Sequence, residues 1–282
     1  MNRIVFGIVG IIFLIVGLLT YKISGENEGL SFDAYSIEEK WELPEELNEI
    51  SGITWLGNDL LACVQDEDGI VFIYNLKSSQ IVDRIEFGES GDYEDINLFN
   101  EKLYVLRSDG LVFEISSYKQ NPQVQKYVTP ANKISGINLE GLSANPDGNI
   151  LLMAVKERKD ADDRKEVFSF KPGSKKQSSE AFFSINLEDP IFKDLKGRTK
   201  NRFSPGAIEL HPKDGKIYIL DGTRPKLLIT NSAGKALKLL KLDSKDFQNP
   251  EGLSFSSDGD IYISNEAEGK PANILKISIN EK

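Results

Sequence analysis

The sequence predicts an all-β chain folded as a single β-propeller of five blades, with six as the alternative because the third unit is long. Five stretches open alike: Glu49-Ile50-Ser51-Gly52-Ile53, Glu94-Asp95-Ile96, Glu140-Gly141-Leu142-Ser143, Ser204-Pro205-Gly206-Ala207-Ile208 and Glu251-Gly252-Leu253-Ser254. Each leads into a short apolar run, a tight turn such as Asn145-Pro146-Asp147-Gly148 or Ser257-Asp258-Gly259, and a second run such as Ile261-Tyr262-Ile263-Ser264. The starts recur about every 45 residues, which is the period and hairpin content of a propeller blade. The runs lack a helical period, and their spacing leaves no room for βαβ crossovers. A sandwich of two sheets would share the short strands but would not explain the recurrent Glu-Gly.

In chain order, residues 1–23 come first. Ile4 to Leu19 is an uninterrupted apolar and glycine run between Arg3 and Lys22. At about 1.5 Å per residue, Ile4 to Tyr21 reaches roughly 27 Å, enough for a hydrocarbon core. We expect an uncleaved signal anchor, a single transmembrane helix, with a cleaved signal peptide as the alternative. The apolar part is long for a signal peptide, and no Ala-x-Ala-like site follows. The only cysteine, Cys63, lies far downstream, so there is no lipoprotein cleavage site and no intramolecular disulfide. Acidic Ser24 to Glu28 and a following domain without spans predict the N-terminus inside and the bulk on the periplasmic or extracellular side. The membrane is thus one expected partner, through the N-terminal helix. Residues 24–36 are polar and read as a tether.

Residues 37–282 are the predicted propeller. Its first blade reads as Ile50 to Leu56, Leu60 to Val64, Ile70 to Leu76 and Gln80 to Phe87, with turns at Gly57-Asn58-Asp59 and at Asp66 to Gly69. Short β-branched and aromatic runs between Gly, Asp and Asn turns are the strand signal. The second and fourth blades repeat it. The fifth supplies three strands, ending with Ile274 to Ile279, and Ile37 to Leu43 should return as its missing outer strand and leave no sheet edge open.

The net charge of −10 and the sequence pI near 4.9 argue against nonspecific binding to nucleic acid or to an anionic membrane surface. In a propeller, equivalent positions gather around one axis, so Glu49, Glu94, Glu140 and Glu251 should form an acidic ring that Ser204-Pro205-Gly206 interrupts. The ends of the second strands add Gln65, Arg107, Glu157, Asp221 and Glu266 to the rim, and Arg107, Glu157, Asp221 and Glu266 are the candidate ligand-binding residues. Crowded carboxylates repel one another and take up protons or a cation. Oxygen ligands without a thiol or imidazole cluster suit calcium better than zinc or copper, so calcium is the expected ion and the four glutamates its ligands. Two other readings stay open: the glutamates cap backbone N–H groups at blade junctions, or they bind an organic cation directly.

The longest insertions, Lys156 to Lys165 and Asn186 to Phe203, both fall on the glutamate face by topology, where loops on a rigid scaffold serve as functional sites. Their basic residues interleave with acids and read either as a phosphate- or carboxylate-binding rim or as solvated surface. No catalytic residue is predicted. His211, the only histidine, sits in a His-Pro-Lys-Asp-Gly turn on the opposite face, and Cys63 lies in an apolar strand.

The spaced motifs Glu49-Ile-Ser-Gly-Ile-Thr, Tyr93-Glu-Asp-Ile, Glu140-Gly-Leu-Ser and Asn249-Pro-Glu-Gly-Leu-Ser-Phe-Ser-Ser-Asp-Gly resemble the SdiA-regulated, or YjiK/CarP-like, family of bacterial β-propellers. The last motif is also similar to an NHL repeat. The resemblance spans about Ile37 to Ile279 and implies an extracytoplasmic propeller, calcium association and a broad relation to phytase-like proteins. The function expected is therefore a membrane-anchored, calcium-binding propeller that recognises a small-molecule or protein ligand in the cell envelope. The alternatives are a calcium-dependent phytase-like phosphoesterase, a gluconolactonase-type lactonase and a purely architectural protein.

Overall fold

The computed structural model describes residues 34–159, 163–174, 177–195 and 202–280. Strand β1 (Tyr35–Glu42) precedes the first complete blade, which is β2 (Ile50–Gly57), β3 (Leu60–Gln65), β4 (Ile70–Asn75) and β5 (Gln80–Glu86). The second blade is β6 (Tyr93–Phe99), β7 (Lys102–Arg107), β8 (Leu111–Ser116) and β9 (Gln123–Val128). The third is β10 (Asn138–Asn145), β11 (Ile150–Glu157), β12 (Arg164–Phe170) and the short β13 (Phe183–Asn186). The fourth is β14 (Pro205–Leu210), β15 (Ile217–Asp221), β16 (Lys226–Thr230) and β17 (Ala236–Lys241), and the fifth contributes β18 (Pro250–Phe255), β19 (Ile261–Asn265) and β20 (Asn273–Ile279). These make five four-stranded antiparallel sheets, so the count is five. The long third unit holds extended connections around β12 and β13, with no extra sheet among the described residues.

Closure is as the terminal segments predicted, with boundaries displaced by one or two residues. Strand β1 pairs with β20 from Tyr35↔Ile279 to Glu42↔Asn273, completing the order β1-β20-β19-β18. The remaining edges are outer strands, which are mostly exposed. The apolar residues of the inner three strands interlock between neighbouring blades, as with Val64, Val71, Ile96, Val105 and Phe113 between blades one and two. Phe192 and Phe203, both fully buried with ring centroids 5.8 Å apart, pin the two ends of the link between blades three and four. Removing residues 1–42 should leave blade five three-stranded and expose the β20 edge. We expect a melting temperature lower by roughly 5 °C or more and concentration-dependent association. Thermal unfolding and size-exclusion chromatography read both effects; an unchanged melting temperature would count against closure by β1.

The inner strands come unusually close to one another. A Cβ on Gly52 would lie 2.5 Å from Asp95 Oδ1 and 2.6 Å from Asp95 Cα, and one on Gly141 would lie 2.8 Å from the Ile208 nitrogen. Glycine at positions 52 and 141 therefore admits the neighbouring blade, a steric role at the axis. Blade two has Asp95 there, wholly buried, and its carboxyl accepts from Ile96 N–H at 2.8 Å and from Leu142 N–H of the next blade at 2.6 Å.

The membrane expectation needs correction. Among the described residues no helix is long and apolar enough to cross a membrane. The helical segments are 3-10 turns of three or four residues, such as Glu45–Leu47 and Pro130–Lys133, against the roughly 20 residues a span requires. The apolar residues are used between the sheets. The signal anchor or transmembrane helix expected at 1–23, and residues 24–33 of the expected tether, lie outside the described residues; residues 35 and 36 belong to β1. The membrane partner, the single-pass topology and the envelope placement that rested on the anchor are accordingly withdrawn.

Candidate metal centre

One local irregularity aims the carboxylates. In every blade the pairing of the first two strands skips one residue at its start, between Ile50 and Gly52, Tyr93 and Asp95, Leu139 and Gly141, Pro205 and Ala207, and Pro250 and Gly252. The bulged residues are Ser51, Glu94, Glu140, Gly206 and Glu251. A β-bulge twists its strand and turns one side chain out of the pleat, here toward the axis. Glu94, Glu140 and Glu251 are thus equivalent positions. Glu49 is not: its blade presents Ser51, and Glu49 lies two residues earlier.

A second ring follows, in each second strand, the residue paired opposite the one before the bulge: Asp66, Ser108, Lys156, Gly222 and Glu266. Residues of both rings, joined by Glu49 and Asp92, line a cavity of about 300 Å³ with seven carboxyl groups, from Glu49, Asp66, Asp92, Glu94, Glu140, Glu251 and Glu266, and one ammonium group, from Lys156. Blade four carries glycine in both rings, and these vacant places accommodate Glu251. Cβ atoms on Gly206 and Gly222 would lie 3.5 and 3.3 Å from its carboxyl oxygens.

The cavity divides into two parts. On one side, Lys156 Nζ sits 2.8 Å from Glu140 Oε2, while Glu140 Oε1 accepts from Asn138 Nδ2 at 2.9 Å. On the other, Glu49, Asp66 and Glu266 each offer an oxygen within 4.8 Å of the others, a set able to hold a metal ion. Backbone bonds bring these three together: Asp66 N–H donates to Glu49 O at 3.3 Å, and Ala267 N–H donates to Asn48 O at 2.8 Å. The segment entering β2 is thereby stitched to the second strands of blades one and five. Asn249 Nδ2 donates to Glu266 Oε2. Asp66 Oδ1 is buried and has no hydrogen-bond partner, an unmet acceptor that a cation would satisfy. Carboxylates that bind in one- or two-oxygen fashion, with no thiol or imidazole in the lining, fit a hard divalent cation.

Electrostatics point the same way. Burial pushes Glu94 up to about 9, with Glu140 and Asp92 adding to it. Burial also raises Glu140 to about 7 against the pull of Lys156, and Glu266 to about 8 with help from Glu49 and Glu251. Asp66 is raised by burial and by Glu49, and Glu251 by burial despite Lys156. Burial works against the charge on Lys156, yet Glu140, Glu251 and Glu94 hold it above the usual lysine range. Without a metal the cavity therefore holds protons and its own ammonium group.

The expected residues scatter accordingly. Glu94, Glu140 and Glu251 meet around Lys156, Glu49 joins the three-acid cluster, and Glu266, expected on the ligand-binding rim, is a member of that cluster. Arg107 makes a two-pronged pair with Asp109 at 3.0 and 2.8 Å. Glu157 is exposed. Asp221 is buried and fully engaged, by Lys226 Nζ at 2.8 Å and by the N–H groups of Ser204 and Arg224 at 3.0 and 3.1 Å. Asp66 and Lys156 escape a sequence reading that compares Gln65, Arg107, Glu157, Asp221 and Glu266, because these five are not in register. The residues paired opposite the one before each bulge are Gln65, Arg107, Val155, Asp221 and Asn265, and of the residues that follow them Asp66, Lys156 and Glu266 line the cavity. Asp66 lies one residue after the residue compared in blade one and Lys156 one residue before that in blade three, so only the pairing register finds both.

The SdiA-regulated family matches residues 28–269. The chain belongs to this family. The resemblance read from the Glu-Gly motifs is thus established, and it covers all five blade openings. No curated protein is matched. Among solved structures, this SdiA-regulated chain is similar to a Myxococcus xanthus glutaminyl cyclase, with TM-score 0.57 and 16% identity over 87% of this chain and 96% of that one. It is also similar to a PQQ-bound aldose sugar dehydrogenase from Streptomyces coelicolor, with TM-score 0.51 and 11% identity over 87% and 98% of the two chains. At these identities the likeness concerns the fold alone.

Proposed function

We propose that this SdiA-regulated protein is a calcium-binding β-propeller, with Glu49, Asp66 and Glu266 as carboxylate ligands and the neighbouring Glu94–Glu140–Glu251–Lys156 cluster as a proton-holding wall. The observation that carries the reading is the convergence of three carboxylates on a buried Asp66 oxygen without a partner. Calcium accepts six to eight oxygens in loose geometry, which suits flexible carboxylates from two blades better than the strict octahedron of magnesium. Such a centre both joins blades one and five and leaves an open side for a ligand's oxygens. The phosphoesterase alternative would use Lys156 to neutralise phosphate beside the ion, but that ammonium is already committed to Glu140.

Titration calorimetry on the purified chain after chelation is expected to give saturable calcium binding, with magnesium weaker. Asp66→Asn should weaken calcium binding about tenfold or more, and Glu49→Gln with Glu266→Gln should abolish it, while Glu94→Gln has a smaller effect. Incubation with phosphomonoesters, phytate and lactones in calcium should give no turnover. An isotherm unchanged in Asp66→Asn would defeat the assignment, and calcium-dependent turnover lost in that variant would make the protein an enzyme.

A further inference from the structure

The opposite mouth of the propeller holds a second cavity, of about 570 Å³, built from different chemistry. Its floor takes one residue from each inner strand: Thr54, Asn97, Glu209 and Ser254 line it, and Ser143 completes the ring beneath. Four of the five bind the blade that follows. Thr54 Oγ1 accepts from Leu98 N–H at 3.1 Å, Asn97 Oδ1 from Ala144 N–H at 3.2 Å, Ser143 Oγ from Leu210 N–H at 3.0 Å and Ser254 Oγ from Trp55 N–H at 3.0 Å. A hydroxyl that accepts through a lone pair keeps its proton to donate. Thr54 and Ser254 thus retain O–H groups at the cavity floor.

Blade four is the exception. Glu209 turns its carboxyl across the axis, where Oε2 accepts from Asn97 Nδ2 at 2.7 Å. Burial pushes it up to about 8, against the hydrogen bonds from Ser143 and Asn97, so at neutral pH it is an uncharged acid that can donate as well as accept. The walls are aromatic: Trp55, braced on Tyr262 at 5.2 Å and 19°, with Phe255 and His211 meeting edge to face at 4.8 Å. The charged groups lie at the rim, where His211 is paired with Asp214 at 2.9 Å.

We propose that this mouth is a binding site for a neutral polyhydroxylated ring, a free monosaccharide or the terminal sugar of a glycan, held by Thr54, Ser254, Asn97 and Glu209 against Trp55. Hydroxyl groups that both donate and accept match a floor of hydroxyls, an amide and a carboxylic acid, while the apolar face of a sugar ring matches the aromatic wall. The volume falls within the range of about 300–1,000 Å³ typical of small-molecule sites. A charged ligand fits less well. An anion finds Lys213 at the rim but no cation at the floor, and a cation finds an acid that burial keeps protonated.

The test uses the purified full chain with D-glucose, glucosamine and gluconate as neutral, cationic and anionic probes of similar size. Binding is followed by saturation-transfer NMR and by the fluorescence of the two tryptophans, Trp41 and Trp55. Glucose is expected to bind saturably and at least about threefold tighter than the charged probes. A trisaccharide arm separates the sources: tighter binding than glucose indicates a glycan end, weaker binding a free sugar. Glu209→Leu should weaken glucose about tenfold or more, whereas Glu209→Gln, a neutral group of the same shape, should stay within about threefold. Asp147→Trp, in an exposed turn at the rim, should obstruct entry without touching the floor, and it serves if Glu209→Leu does not fold. No saturable binding of any neutral sugar, tighter binding of either charged probe, or glucose affinity unchanged in both Glu209→Leu and Asp147→Trp would overturn the proposal.

Discussion

Replacing Lys226 with methionine is expected to destabilise the propeller by roughly 3–5 kcal/mol, because it strands a buried charge. Lys226 and Asp221 have side chains only 4% and 2% exposed and pair at 2.8 Å across the β15–β16 turn. The ammonium also donates to Arg224 O, and Asp221 receives two backbone N–H groups. Without the lysine, the Asp221 carboxylate keeps those two donors but loses its counter-charge. At this chain length the loss corresponds to roughly 6–20 °C in melting temperature. Removing both charges, with Asp221→Asn and Lys226→Met together, should recover a large part of the loss, since an absent pair costs less than a broken one. Calorimetric unfolding of the two variants beside the unaltered protein decides it: a shift in Lys226→Met below about 1 °C would show that Asp221 is not held by this pair.

The melting temperature of the metal-free protein is expected to be highest in mildly acidic solution and to fall as pH rises toward about 9. Glu140, Glu266 and Glu94 are raised to about 7, 8 and 9 by burial and by neighbouring carboxylates, from an ordinary value of 4.5. The folded state therefore binds more protons than the unfolded state above about pH 4.5. Stability is fully present below that value and is lost as pH rises through each folded value. On the acid side the sign reverses for Asp109, which the Arg107 guanidinium holds below its ordinary range, so that contribution is lost as pH falls. On the proposed function, added calcium would replace the protons as counter-charge, and its stabilising effect should grow with pH. Glu94→Gln should raise the melting temperature near pH 9 and change it little near pH 5. Scans in chelator and in excess calcium provide the measurement. A melting temperature that climbs from pH 5 to 9 in chelator would contradict this account of the cavity.

Much of the architecture was legible because a propeller repeats its local chemistry. Turns such as Gly57-Asn58-Asp59, where Asn58 and Asp59 have φ of 53° and 59°, are marked by residues that tolerate the left-handed region. Short apolar runs between such turns gave the strands, and a fifth unit short of one strand identified β1 as its partner. The acidic mouth was legible as a property of the repeat: a Glu-Gly that recurs must recur around an axis. Composition alone could favour oxygen ligands, since one histidine and one cysteine cannot supply a nitrogen or sulfur cluster.

Which acids meet was decided by tertiary structure. Glu49 and Glu94 look equivalent because each opens a similar phrase, but bulge register assigns that place to Ser51, and Glu49 lies two residues earlier, ahead of the first strand. Asp66, Glu49 and Glu266 come from opposite ends of the chain and converge only because closure by β1 sets blade five against blade one. Lys156 belonged to a charged insertion in the sequence; its position beside Glu140 follows from the bulge in β11, which no composition reveals. Glu209 and Asp95 carry the same lesson at the axis. A carboxyl's role depends on which donors and how much water surround it, and those are properties of the assembled ring. Sequence by itself determined the repeat, the strand content and the gathering of acids at one mouth, because these follow from local periodicity. Only the closed propeller determined the partners of each acid, because hydrogen bonding, desolvation and repulsion act between residues that are distant in the chain.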